Sequence, residues 1–340
     1  YSIHQNGKMN PQTKIIFVSN DQEQLEFSDK VNTAGRLFQE GNTFRVYSFG
    51  GNKSLLFESS SGYSIFSVSK GVFDSNIYTV NLALNGMNGR IEVITIDDGS
   101  TGEIRNTIQY TNPNHKVVTS PVIHAAIYRA VEIGTKLYFV GYDMVQDRYE
   151  LYYLDEEINE VQFVDYWYHT SVEFEELLYV NGKIITVENP YHSRFMDEKE
   201  IPEMASLTSM NPDTLEANTV SLDTKRIISA YAYKDHIRLV TVDNHLLEYT
   251  VDLELVSDKD LSGTDFANLF TNTDYKLHGI RYLGNKAAAI VTPNTETTTE
   301  LGKILGFDAD TLTLQKSITI PLSENTGWKI DFVDLLIIEK

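Results

Sequence analysis

Three histidines stand a few residues ahead of tight turns: His124 in Val122-Ile123-His124, His169 in Trp167-Tyr168-His169 and His278 in Lys276-Leu277-His278. Neutral imidazoles from separate segments are ligands for zinc or copper, so a three-histidine metal site is the sharpest chemistry this chain offers. Their distances to the following turn are 10, 12 and 6 residues. Equivalent positions in a repeat would give equal distances. The mismatch favours three separate histidines, each bonded to a neighbouring loop, and we expect no metal and no other cofactor.

A second group is suited to recognition. The stretch Asn189-Pro190-Tyr191-His192-Ser193-Arg194-Phe195-Met196 stands where a short turn would do. Tyr and Arg are enriched at binding hot spots, and Arg194 can grip a carboxylate or phosphate as a planar fork. The competing account is a loop that folds over the sheet and buries Phe195 and Met196. Trp167, in Asp165-Tyr166-Trp167-Tyr168, offers a stacking surface for a sugar or aromatic ligand, whereas strand alternation explains Tyr166 and Tyr168 equally well as core. Arg281 follows His278 by three residues and adds a second guanidinium. The expected ligand-binding set is His124, Trp167, His169, Tyr191, His192, Arg194, His278 and Arg281.

Signs of catalysis are weak. Glu173, Glu175 and Glu176 could supply the two carboxyls of a glycoside hydrolase, but in a chain with 48 acidic residues such groupings arise by chance. Asp97-Asp98-Gly99-Ser100-Thr101-Gly102-Glu103 lacks the ligand spacing of an EF-hand loop. No Gly-x-Ser-x-Gly, Walker or dinucleotide fingerprint is present. We expect no catalytic residue.

The elements that must position these residues are short strands. Apolar stretches of four to eight residues, rich in Val, Ile, Tyr, Phe and Thr, are bounded by Gly, Asn, Asp or Ser. A hairpin recurs about every fifty residues, with turns at 134, 181, 234, 284 and 334. Two more strands follow each hairpin, joined through Asx turns such as Asn211-Pro212-Asp213-Thr214-Leu215 and Asp308-Ala309-Asp310-Thr311-Leu312. Upstream, looser hairpins centre on Glu40-Gly41 and Asp74-Ser75, giving seven units, with six or eight left open by the irregular segment 30–75. The last hairpin, Lys329 to Glu339, lacks its third and fourth strands. Lys14 to Ser19 and Gln24 to Ser28 can supply them, leaving residues 1–13 as a flexible leader.

Composition narrows the classes. The chain has 340 residues, 41% of them hydrophobic, and a formal charge of −20. That charge argues against nucleic-acid or anionic-membrane partners. No apolar run approaches the roughly eighteen residues needed to span a bilayer. With no cysteine, disulfides, thiolate metal sites and cysteine nucleophiles are excluded. The chain begins at Tyr1 rather than Met, so a removed signal or lipid anchor before residue 1 is expected.

Four strands per fifty residues, repeated, resembles the blade of a β-propeller over essentially the whole chain. There is no Gly-His…Trp-Asp pair of WD repeats, one kelch-like Gly50-Gly51, and only a poor approximation to a sialidase box at Ser323 to Trp328. The layout is similar to divergent propellers of bacterial cell-surface and periplasmic lipoproteins. The resemblance implies an all-β fold: one propeller domain over 1–340, most simply seven four-stranded blades closed by the chain ends. Long connections at Thr111 to Pro121, Asn189 to Met204, Ser262 to Asp274 and Pro293 to Glu300 then share one face, opposite the hairpin turns. It also implies an extracytoplasmic binding protein whose long-loop face holds a small molecule, glycan or protein. A glycoside hydrolase or lyase, and an assembly scaffold without a small-molecule site, are the alternatives.

Overall fold

A computed structural model of the chain describes residues 2–5, 13–18, 24–29, 36–40, 43–47, 53–57, 63–67, 79–86, 89–98, 103–111, 117–155, 160–163, 172–192, 202–294, 300–321, 330–334 and 337. The strands run β1 (Ser2–Gln5), β2 (Thr13–Val18), β3 (Gln24–Asp29), then β4 (Arg36–Glu40), β5 (Thr43–Tyr47), β6 (Lys53–Phe57) and β7 (Tyr63–Ser67). Next come β8 (Thr79–Gly86), β9 (Gly89–Asp98), β10 (Glu103–Thr111) and β11 (Val117–Thr119). β12 (Ala126–Ile133), β13 (Lys136–Asp143), β14 (Arg148–Asp155) and β15 (Glu160–Phe163) precede β16 (Val172–Val180), β17 (Lys183–Pro190), β18 (Ser206–Met210) and β19 (Ala217–Ser221). β20 (Ile227–Tyr233), β21 (His236–Thr241), β22 (His245–Tyr249) and β23 (Leu255–Asp260) are followed by a short helix, α1 (Asp265–Thr271). β24 (Tyr275–Leu283), β25 (Lys286–Pro293), β26 (Glu300–Asp308), β27 (Leu314–Pro321) and β28 (Ile330–Asp334) complete the described elements.

Among the described residues these strands make seven four-stranded sheets. Six take consecutive strands in order, and the seventh runs β28-β1-β2-β3. Two expectations are corrected here. Asp334, expected at a hairpin turn, ends β28 and pairs with Ser2, so the terminal sheet takes one strand from the C-terminus and three from the N-terminus. Ser2–Gln5, expected in a flexible leader, is one of those three strands. A hairpin joins β8 to β9, and the turn expected at Asp74-Ser75 lies outside the described residues. The alternating run Thr79 to Leu84 makes one strand, and Asn85-Gly86-Met87-Asn88-Gly89 carries the stronger turn signal.

The chain forms two compact units, residues 1–85 with 263–340 and residues 86–262. In the second unit β12 lies beside β16, and β16 beside β20. The sheet β16–β19 is apolar on both faces because it is packed on both. Ile184 and Met210 join Tyr138, Val140, Leu151 and Phe174 in one core. Ile185, Val187 and Leu207 join Ile237, Leu239 and Leu247 in another. Successive side chains of a strand leave on opposite faces, so one run serves two cores. The fourth strand β23 is exposed along its whole length.

In the first unit, α1 occupies the connection into β24. Thr264 caps it by accepting from the Ala267 amide at 3.2 Å, and Phe266 and Leu269 are buried.

Candidate functional site

The first strand of four consecutive sheets carries a β-bulge at the same register. In β12, Ile127 pairs with Gly141 and Arg129 with Val140, leaving Tyr128 without an opposite residue. In β16 the skipped residue is Glu175, in β20 it is Ile228 and in β24 it is His278. Fourteen residues on stand Tyr142, Asn189 and Thr292 on the second strands, and Val242 in the turn just after β21. Two of these pairs are hydrogen-bonded: Asn189 Nδ2 donates to Glu175 Oε2 at 3.4 Å, and His278 Nε2 meets Thr292 Oγ1 at 2.7 Å. A bulge re-aims a side chain and interrupts the ladder, and bulges concentrate at barrel rims and beside active sites. The four positions carry an aromatic, an acidic, an apolar and a basic side chain.

The described histidines do not share this register. The counterparts of His278 are Tyr128, Glu175 and Ile228. His124 stands four residues ahead of its own bulge position, exposed beside Ile123, whose backbone pairs with Asn106. His169, Trp167 and Arg194 lie outside the described residues. His192 is exposed, and Arg281 is exposed on β24 opposite Ala288.

In the second unit, the sheets β12–β15 and β16–β19 gather polar and aromatic groups around the bulges. Tyr191 donates to Asp147 Oδ1 at 2.8 Å, Tyr142 donates to the same oxygen, and the two hydroxyls are 3.2 Å apart. Asp147 is buried, with φ at 53°, in the left-handed region that Asp tolerates. Tyr149 stands with its ring centroid 4.8 Å from Tyr142, 4.9 Å from Tyr191 and 5.9 Å from Tyr128. Burial raises the phenol of Tyr149 to about 12, with Glu173 adding to the effect. Burial raises Tyr128 further, and Tyr149, Glu173 and Glu175 push the same way. These tyrosines therefore stay protonated, as hydrogen-bonding groups rather than bases.

Beside them, Arg129 bridges two sheets. Its Nε lies 3.0 Å from Glu176 Oε1, Nη1 donates to the Tyr128 carbonyl at 3.2 Å and Nη2 to the Glu175 carbonyl at 3.4 Å. Arg226, largely exposed, reaches Glu173 only at 3.9 Å. Asn189 is fully buried and brackets Ile227: its Nδ2 donates to the Ile227 carbonyl at 2.9 Å and its Oδ1 accepts from the Ile227 amide at 2.8 Å. Glu175 is left with the single long contact from Asn189. Burial raises its pKa, Glu176 and Glu173 reinforce the rise, and the pull of Arg129 and Arg226 does not cancel it. The hydroxyl of Tyr128 is enclosed and has no hydrogen-bond partner among the described residues.

Of the five chosen residues that are described, Tyr191 is the one this cluster contains. Tyr128, Arg129, Tyr142, Asp147 and Tyr149 were missed. Glu173, Glu175 and Glu176 were noticed and set aside as chance. No sequence signal singles out Tyr128 and Glu175, because one skipped residue leaves a strand's alternation almost unchanged.

No protein-family model matches the chain, and no curated protein sequence does. Solved structures do. One, described as a structural and mechanistic analysis of two prolyl endopeptidases, is 12% identical with a TM-score of 0.52, over 97% of this chain and 50% of that one. Another, the dihydro-heme d1 dehydrogenase NirN in complex with DHE, is 10% identical with a TM-score of 0.50, over 94% and 67%. Apo AztD from Citrobacter koseri is 11% identical with a TM-score of 0.49, over 97% and 96%. At these identities the likeness concerns fold. The fold is an all-β propeller. Among the described residues no helix is long and apolar enough to cross a membrane.

Proposed function

We propose that this chain is a non-catalytic, extracytoplasmic binding propeller. In this reading the seven sheets are seven blades of a single ring over 1–340, joined at the pairing of β1 with β28, and the first strand of each sheet is innermost. The ligand sits where the innermost strands enter from the long-loop face. The observation that carries the reading is the shared bulge: one register places Tyr128, Glu175, Ile228 and His278 on four first strands, with different chemistry on each. A bulge bends and twists a strand, and it also re-aims the side chain it carries, which is what a binding position needs. By chain position, His124, Trp167 and His169 lie on connections into first strands, and His192 and Arg194 on the connection after β17. We propose them as flanking contacts, with Tyr191 anchored at their edge.

Several features support binding over turnover. The tyrosines of the cluster are held protonated by burial. Three histidines have carboxylate or hydroxyl partners: His236 with Glu248 and His245 with Asp258, both at 2.6 Å, and His278 with Thr292 at 2.7 Å. The net charge of −20 favours neutral or cationic partners over nucleic acid. An extracytoplasmic setting rests on composition, the high Tyr and Phe counts with abundant Thr and Asn.

A hydrolase is the second reading, because glycoside hydrolysis uses two carboxyls, and here Glu175, its pKa raised by burial, stands near Glu173. A thermal-shift screen of the purified chain against amines, glycans, metals and anionic chelators separates the two. The binding reading expects a rise in melting temperature with one ligand class and no release of product from aryl glycosides. Glycoside turnover lost in Glu175→Gln overturns it.

A further inference from the structure

We propose that the edge strand β23 is held by a proton: His245 on β22, when charged, clasps Asp258 on β23, and the strand loosens when that proton leaves. The inference stands apart from the binding reading above.

Two histidines of the sheet β20–β23 meet carboxylates across neighbouring strands with the same geometry. His236 Nδ1 on β21 lies 2.6 Å from Glu248 Oε1 on β22, and His245 Nδ1 on β22 lies 2.6 Å from Asp258 Oδ1 on β23. The two carboxylates differ in what else holds them. Arg238 on β21 is buried, and its Nε donates to the other oxygen of Glu248 at 2.8 Å. A guanidinium keeps its charge at any pH the fold meets, so β21 and β22 stay tied whatever His236 does. Among the described residues Asp258 accepts from His245 alone.

β23 has little else to hold it. All six of its residues are exposed, Leu255 and Val256 included. The ladder skips Val256, since Ser257 pairs with Glu248 and Leu255 with Tyr249. β23 also stands last in the order β20-β21-β22-β23, so its outer edge has no partner strand in that sheet. A strand that buries no apolar side chain opens readily, and an open edge is where a sheet accepts another strand.

The charges around His245 set the direction. Asp258 and Asp260 on β23 and Asp243 in the turn before β22 act on it. Tyr249 shares the His245 face of β22 and feels Asp258, whereas β21 brings only Ile237, Leu239 and Thr241 to that face. Lys259 leaves β23 on the opposite face. The hydrogen bond to Asp258 keeps the imidazole protonated to higher pH than usual, against a smaller opposing effect of burial, and the three acids reinforce it. The clasp is therefore complete below the unfolded-state value of 6.5 and is lost as pH rises through the folded one. The two side chains are 41% and 47% exposed, so solvent screens the pair and the effect stays local.

Amide hydrogen exchange of the full chain from about pH 5 to about pH 9, each rate divided by the intrinsic rate at that pH, tests this. We expect protection of the β23 amides to fall roughly two- to fivefold as His245 loses its proton, with the β21 amides unchanged. Ring-proton NMR should place the His245 titration above its ordinary value, and Asp258→Asn should lower it. His245→Gln and Asp258→Asn should each abolish the pH dependence of β23 while melting close to wild type, since both positions are exposed. Wild-type β23 protection that does not change with pH overturns the proposal. So does the same fall in both variants, or an equal fall in β21.

Discussion

The sheets β16–β19 and β20–β23 are neighbours with the same strand order, the same hairpin and the same bulge, yet they use the bulge in opposite ways. In β20–β23 the bulged residue is Ile228, an apolar side chain that needs no hydrogen-bond partner. In β16–β19 it is Glu175, which Asn189 meets at 3.4 Å while giving its shorter hydrogen bonds to the backbone of the next sheet. The first position is complete as it stands. The other leaves a carboxyl short of partners, which is the condition for recognition and a cost to the free fold. Position is fixed by the scaffold and chemistry by the residue placed on it.

The comparison breaks most easily at Asn189. Asn189→Leu orphans the Ile227 amide and carbonyl and should cost about 2–4 kcal/mol in chemical denaturation. Val242→Ala, in the turn after β21 and 46% exposed, should stay within about 0.5 kcal/mol. Equal losses would dissolve the distinction.

Moving the carboxyl sharpens it. Ile228→Glu puts an acid at the partly buried bulge of β20, where no Asn189 equivalent meets it, and should destabilise by about 1–3 kcal/mol at neutral pH, recovering on acidification. The native counterpart runs the same way on a smaller scale. The pKa of Glu175 is higher in the folded chain than in the unfolded one, so wild type loses stability as pH rises from the unfolded value near 4.5 through the folded one. Glu175→Gln should therefore match wild type in acid and exceed it at neutral pH, measured by melting temperature across pH.

The smallest effect lies at the other end of the same two sheets. Asn181 and Gly182 turn β16 into β17 with φ of 44° and 81°, residues suited to that backbone. The equivalent Lys234 holds φ at 53° without such a preference. Lys234→Gly should stabilise by about 0.5–1 kcal/mol, while Asn181→Gly should change little.

What could be read from sequence follows this division. The turns at 134, 181, 234 and 284 were legible because Gly, Asn and Asp are locally required there. The Asx turns were legible too: Asn211 Oδ1 accepts from the Asp213 amide at 2.9 Å and Asp308 Oδ1 from the Thr311 amide at 2.8 Å. The terminal sheet was only half legible, because pairing of Ser2–Gln5 with β28 is set by the partner rather than by four residues alone. The bulges were not legible. A single skipped residue alters neither composition nor alternation enough to notice, and Glu175 looks like any other acid until Arg129 is seen spoken for. Tyr191 was chosen for its loop, but its partners Tyr142 and Asp147 come from the preceding sheet.

The central claim is that Glu175 is a partly buried carboxyl whose pKa is raised where it stands at the bulge. Carbon-13 NMR of a chain labelled at glutamate side chains, with Glu175→Gln to assign the resonance, measures this directly. We predict that the Glu175 carboxyl titrates above the ordinary carboxylate range. A titration within the ordinary range would contradict it.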